Sequence, residues 1–306
     1  MYTLYNDIQS LCSRIEDRWL KLNYASEDFY KVVWEETESF DLSPLGEVSN
    51  QMLLLDHPAV RLNQRSSTFS DLYFQLFNNG RFMIEVLNWS QAHVNVHDHD
   101  FSGVQFQLKG DSLNVVYDFA PKGERDGSLQ FGSLSVREAS IWKQGGRSVV
   151  RAGDVDPHGV FHLGRPTTSL LIRTLPTPRL GVQSNYFPTL AAHYTVQTDI
   201  QRKKLTGLQL LMKQDRAGFR LCFQHFLETQ SLCENFFMIL KLGEGVFSEP
   251  YIDLIKGYAA RGEKESQVVT SAALNNGIDF FKKLTRKPLA EAERLALFTL
   301  AGRQMA

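Results

Sequence analysis

Residues 94–110 read VNVHDHDFSGVQFQLKG. The stretch sets His97 and His99 one residue apart, then runs into an alternating apolar and polar sequence that stops at Gly110. On a β-strand, positions i and i+2 point to the same face, about 6.6 Å apart along the chain. Two imidazoles placed this way can converge on one ion, with metal–nitrogen bonds of about 2.0–2.1 Å for zinc. Asp98 faces the other way and is not expected to ligate. A His-x-His pair alone also fits the polar edge of a strand, so a further ligand is needed before it means a metal site.

A second stretch, RAGDVDPHGVFHLGRP at residues 151–166, offers one. A glycine turn at Gly153 precedes Pro157, Gly159 and His162 in the order Pro-x-Gly-x-x-His, and a strand pattern brackets them. Together the two stretches resemble the two motifs of the cupin superfamily. His97, His99 and Gly110 match the first motif; Pro157, Gly159 and His162 match the second. The resemblance implies an antiparallel barrel with His97, His99 and His162 as metal ligands. The position that usually carries a glutamate ligand is Gly103 here, so the implied site is three neutral imidazoles without a carboxylate. Imidazole suits iron, copper, zinc or nickel.

Within the cupins, a three-histidine site resembles the thiol dioxygenases, the family of cysteine dioxygenase and mercaptopropionate dioxygenase. NNGRFMIEVLNW, residues 78–89, followed by VHDH, is similar to that family's approach to its first two ligands, and the likeness covers roughly residues 69–175. Its bacterial members also carry glycine at the position of Gly103. The family's Ser-His-Tyr relay maps onto Ser169, Leu171 and Arg173, so the relay is broken, and Tyr186 on the next strand is the candidate replacement for the tyrosine. The arginine that grips a substrate carboxylate falls at Gln75; Arg173 and Arg179 are the candidates to take over that role. Ser102 and His93 are further candidate substrate contacts. These departures put a cysteine substrate in doubt and leave the metal site intact.

The remaining polar residues near the motifs have plainer readings. His158 is expected as an exposed loop residue with a second-sphere role as the alternative, and His57, His193 and His225 as structural or surface groups. Val104, Phe106 and Leu108 want burial, so Gln105 and Gln107 are expected to face solvent. If those glutamines faced inward they would need a partner, such as substrate or bound water.

The elements that must position these residues fall into three zones. Residues 1–65 read as an N-terminal helical segment packed on the barrel: Ile8, Leu11, Ile15, Trp19 and Leu22 recur at helical steps. Residues 66–197 change to short β-rich runs such as FMIEVLNW, GVQFQLKG, DSLNVVYDF and TSLLIRTL, separated by NNG, KGD, KGERDG and KQGG. Residues 198–306 return to helical period, through the Phe219, Cys222, Phe223, Phe226 stripe to LAEAERLALFTLAGRQ with Pro288 at the start of the last helix. The expected class is α+β: an antiparallel cupin barrel of jelly-roll type, with N-terminal helices and a C-terminal all-α domain.

Composition narrows the function. The 306 residues are 43% hydrophobic and 22% charged, with a net charge of -1, which gives no electrostatic case for nucleic acid or an acidic membrane. No apolar run reaches the length of a membrane span. The N-terminal stretch lacks the order of a secretory signal, and Cys12, Cys222 and Cys233 lack a pairing framework, which together suggest a reducing cytoplasm. Nucleotide-binding glycine motifs and a Gly-x-Ser-x-Gly elbow are missing from the sequence. The leading expectation is a mononuclear non-haem Fe(II) dioxygenase acting on a thiol-containing or other bidentate small molecule, with dioxygen as co-substrate. A non-oxidative zinc, nickel or manganese cupin (an isomerase or lyase) is the second reading. A ligand-binding or regulatory module whose helical domain meets a protein or peptide is the third.

Overall fold

The computed structural model describes residues 2–67, 69–90, 96–125, 127–164, 166–177, 179, 182–187, 190–193, 198–247 and 249–261. His93 and the two expected helices beyond residue 262 lie outside the described residues. Four helices come first: α1 (Tyr2–Lys21), α2 (Phe29–Glu36), α3 (Val48–Leu54) and α4 (Pro58–Asn63). In α1, Ile8, Leu11, Ile15 and Trp19 form one buried stripe, while Leu22 lies past the helix end and is exposed. In α2, Phe29, Val32 and Val33 are buried. The start of α4 follows from Pro58, whose fixed φ suits a first helical position, and from a His57 ring nitrogen that accepts from the Ala59 amide.

Among the described residues eleven strands follow: β1 (Leu72–Asn78), β2 (Phe82–Trp89), β3 (Val96–His99), β4 (Gly103–Lys109), β5 (Ser112–Pro121), β6 (Leu129–Trp142), β7 (Arg147–Val150), β8 (Gly153–His162), β9 (Thr167–Thr174), β10 (Ser184–Phe187) and β11 (Leu190–His193). The chain then forms α5 (Asp199–Gln214), α6 (Arg216–Thr229), α7 (Leu232–Leu242) and α8 (Ile252–Arg261). No described helix is long and apolar enough to cross a membrane.

The described residues divide into two compact units. The first runs to Asp118 and resumes over Val136–Ser184. It holds an antiparallel sheet in the order β1-β2-β9-β4-β7, and a second in which β3 and β5 flank β8. From β3 to β5, and again from β7 to β9, consecutive strands alternate between the sheets. That alternation is the jelly-roll, or double-stranded β-helix, topology of the cupin barrel.

The five-stranded sheet has two unlike faces because side chains alternate along each strand. One face presents Phe74, Ile84, Val86, Val104, Phe106, Leu170 and Ile172, which form a single core with α1 and α2. The opposite face presents Glu85, Trp89, Gln105, Gln107, Ser169 and Arg173. The expected solvent face of β4 is therefore corrected: Val104, Phe106 and Leu108 do enter a core, but the one beneath the helices. Gln107 is only 2% exposed, with its amide nitrogen donating to the Lys109 and Gly110 carbonyls. The sheet is covered on both sides, so alternation no longer separates core from water.

Gly103 marks a close approach of backbones. It pairs with Arg173, and a Cβ added there would lie 2.3 Å from the Ile172 carbonyl oxygen and 2.8 Å from Arg173 Cα. A glutamate at this position would not fit.

The second unit comprises Phe119–Ser135 and the described residues from Asn185 onward. Its core joins Leu129 to Leu208, Phe219, Phe223, Phe236 and Ile239 from α5, α6 and α7. Two of these helices begin with reciprocal capping boxes, Thr198 with Gln201 and Ser231 with Glu234, which satisfy otherwise unpaired amides. In the Phe219, Cys222, Phe223, Phe226 stripe, Phe219 and Phe223 are buried in this core and Cys222 and Phe226 pack against it.

Candidate metal centre

The site is built by the pairing of β3 with β8. His97 stands opposite His158, and a register shift then brings His99 opposite Gly153. A bulge of this kind re-aims side chains. Here it leaves three imidazoles facing one another: ring centroids lie 4.8 Å apart for His97–His99, 5.2 Å for His97–His158 and 4.9 Å for His99–His158. One ligand atom from each lies within 4.8 Å of the others. Small side-chain rotations convert that spacing into three bonds of about 2.0–2.1 Å to one ion.

The third member corrects the expectation from the motif. His162 was the expected ligand, yet His158 completes the cluster, and it is a buried strand residue rather than an exposed loop residue. The physical reason is register. His158 and His162 share a face of β8, and β5 runs beside both, with apolar Val116 at His158 and Ser112 at His162; on the other side His158 stands opposite His97 of β3. The His162 Nδ1 is 3.0 Å from Ser112 Oγ, and its ring stacks on Trp89 at 4.6 Å.

The electrostatics suit metal binding. Burial first, and then the charges of His97, His158 and Arg173, hold the His99 imidazole well below its ordinary value. Burial and His97 push His158 down to about 3. Both rings are therefore neutral near pH 7, the form that ligates. Asn114 Oδ1 lies 2.8 Å from His158 Nδ1. An amide oxygen only accepts, so Nδ1 carries the proton and Nε2 keeps its lone pair for an ion, a common second-sphere arrangement. Asp98 turns away, as the strand period requires, and accepts from the Ser184 amide at 2.5 Å. Among the described residues no carboxylate joins the cluster. The donor set fits a nitrogen-preferring metal ion.

The other expected residues are dispersed. Ser169 accepts at 3.3 Å from Nε1 of Trp89, the ring that stacks on His162. Arg173 does approach the cluster: its guanidinium sits 4.4 Å over Phe101, and the Phe101 ring is 4.7 Å from His99. It is not free, however, because Nε and Nη2 both donate to Glu85, at 2.6 and 3.1 Å. Gln75 is buried on β1 with its amide nitrogen 3.4 Å from the Tyr73 hydroxyl. Ser102 is buried just before β4, its amide donating to Oγ1 of Thr174 at the end of β9. Arg179 pairs with the exposed Glu27 and is a surface group, which corrects its expected role as a substrate contact. Tyr186 belongs to the second unit's part of β10 and packs on Phe119.

Two residues escaped the sequence reading although each left a signal. Glu85 is the charged residue in the otherwise uncharged run FMIEVLNW, and a charge in a buried strand needs a counter-charge. Asn114 follows Ser112 at an even step on a largely buried strand, which aims two polar groups at the face that holds His158 and His162.

No protein-family model matches the sequence, and no curated relative matches it. Solved structures give fold-level likenesses to part of the chain. A protein with a double-stranded β-helix domain from Klebsiella pneumoniae is 14% identical, with 44% of this chain and 95% of that one covered, at a TM-score of 0.26. A hydroquinone 1,2-dioxygenase from Sphingomonas sp. TTNP3, with 4-hydroxybenzoate bound, is 7% identical over 38% of this chain and 71% of its own, at 0.27. A DMSP lyase from Ruegeria pomeroyi DSS-3 is 14% identical over 38% and 53%, at 0.25. All three scores fall below one half, so the chemistry of this chain is read from its own residues.

Proposed function

We propose that this protein is a mononuclear metalloenzyme in which His97, His99 and His158 hold an iron(II) ion for the oxygenation of a small bidentate molecule, thiol-containing compounds being the first class to try. The observation that carries the reading is the gathering of three mutually facing imidazoles, with no carboxylate among the described residues of the cluster. Bound iron would supply the redox chemistry and the open coordination positions for substrate and dioxygen. The chain supplies the rest. Asn114 holds the His158 ring in one tautomer. Phe101, Leu171 and Val150 pack as a small apolar cluster whose Phe101 ring lies against His99, which keeps water from that side.

Purified protein, prepared without chelator or nickel affinity resin, is expected to carry about one iron per chain and to consume dioxygen with a thiol substrate. Zinc, nickel or manganese at that stoichiometry, with turnover in the absence of dioxygen, would replace this reading with the non-oxidative one. No metal after reconstitution with any of these ions would end both.

A further inference from the structure

The charge balance around Arg173 limits what can bind beside the histidines. Arg173 is a cation set one ring away from His99, with Phe101 between them at 4.4 and 4.7 Å. Its guanidinium is fixed on every side that the structure describes: Nε and Nη2 on Glu85, Nη1 on the Thr174 carbonyl at 3.3 Å, and one face over Phe101. Glu85 is buried more deeply than Arg173, with side-chain exposures of 6% and 17%. Tyr73 strengthens its hold, donating its hydroxyl to Glu85 Oε1 at 2.5 Å. Burial and the Glu85 charge both push the Tyr73 phenol up, so it stays a donor at neutral pH. The one guanidinium is thus already committed to one carboxylate. A further anion would have to displace Glu85 from a bidentate pair and leave that carboxylate buried without its partner, which is strongly unfavourable.

We propose that the centre formed by His97, His99 and His158 takes an uncharged substrate and rejects carboxylates, with Glu85 as the residue that sets this preference by neutralising Arg173. This inference rests on the metal-centre reading above and adds the substrate's charge to it. Discrimination by an unpaired or competing charge is the form of specificity that acts against the wrong ligand.

Mercaptoacetamide and mercaptoacetate test it, because they have nearly the same shape and differ in charge. Cobalt(II)-loaded protein is titrated with each, and the thiolate-to-cobalt absorption band reports binding without any turnover. The native protein is expected to favour the amide once the two thiol acidities are allowed for. Glu85→Gln is expected to lower the amide-to-carboxylate affinity ratio by about tenfold, since it exposes an unneutralised guanidinium. Thiol acidity cancels in that comparison. If Glu85→Gln fails to fold, the double variant Glu85→Gln/Arg173→Met, which removes both charges, is expected to keep the native ratio within about twofold. Full cobalt loading with tighter binding of mercaptoacetate to the native protein would overturn this inference and leave the metal centre standing. A ratio that Glu85→Gln leaves unchanged would do the same. Failure to bind cobalt would overturn the metal centre, and this inference with it.

Discussion

His158 and His162 stand four residues apart on one face of one strand, and their surroundings differ in kind. His158 meets two other imidazoles and an amide oxygen. His162 meets a serine hydroxyl and the flat of a tryptophan. The same side chain is a candidate ligand in one place and part of a hydrogen-bonded wall in the other. The difference lies in what the neighbouring strands set opposite each: β5 runs beside both, with Val116 at His158 and Ser112 at His162, and β3 sets His97 against the first. Sequence spacing names the strand that carries a ligand, while pairing register picks the residue.

The largest expected effect is on metal stoichiometry. His158→Ala is expected to lose bound metal and His162→Ala to retain it, by plasma mass spectrometry on both variants beside the native protein. The reverse pattern would return the third ligand to the motif histidine and break the contrast. The next effect is on pH dependence. In the unfolded chain His158 titrates near 6.5, but in the fold it titrates at about 3. Between those values the unfolded state binds the extra proton, so metal-free protein is expected to lose stability as pH falls from about 6.5 towards 3, by up to about 1.4 kcal/mol per pH unit for this histidine. Above 6.5 the contribution is constant. Denaturation midpoints across pH 4–8 check this, and the slope is expected to flatten in His158→Ala.

Gly103→Ala is expected to destabilise the fold by about 3 kcal/mol, because the new methyl meets backbone on β9. A denaturation curve that leaves this variant unchanged would remove the steric account of why no carboxylate stands there. The smallest effects sharpen the two histidine environments further. Asn114→Ala is expected to weaken metal affinity by about 10–100-fold in a competition titration. Ser112→Ala, which removes the corresponding partner of His162, is expected to cost about 1–3 kcal/mol of stability and leave metal affinity unchanged.

Much of the fold was legible because its signals are local. The α1 stripe of Ile8, Leu11, Ile15 and Trp19 reads as one helix face, and all four are buried. The alternation in GVQFQLKG reads as a strand and is one. The same alternation misled on Gln107, since it says that two faces differ and leaves open whether the polar face meets water or the inside of a barrel. At the site, His97 and His99 could be paired from spacing because two residues of one strand share a face. The Glu85–Arg173 ion pair joins residues 88 apart in the chain, which no local pattern can connect.

The sequence by itself determined the strand-rich middle, the helical segments before and after it, the His-x-His pair and the strand that carries the third imidazole. Each follows from side-chain period and turn residues over a few positions. Only the tertiary structure decided that His158 rather than His162 completes the cluster and that Arg173 is already neutralised. Both depend on which residues two distant strands place opposite one another, and a shift of register by a single residue turns every side chain to the other face.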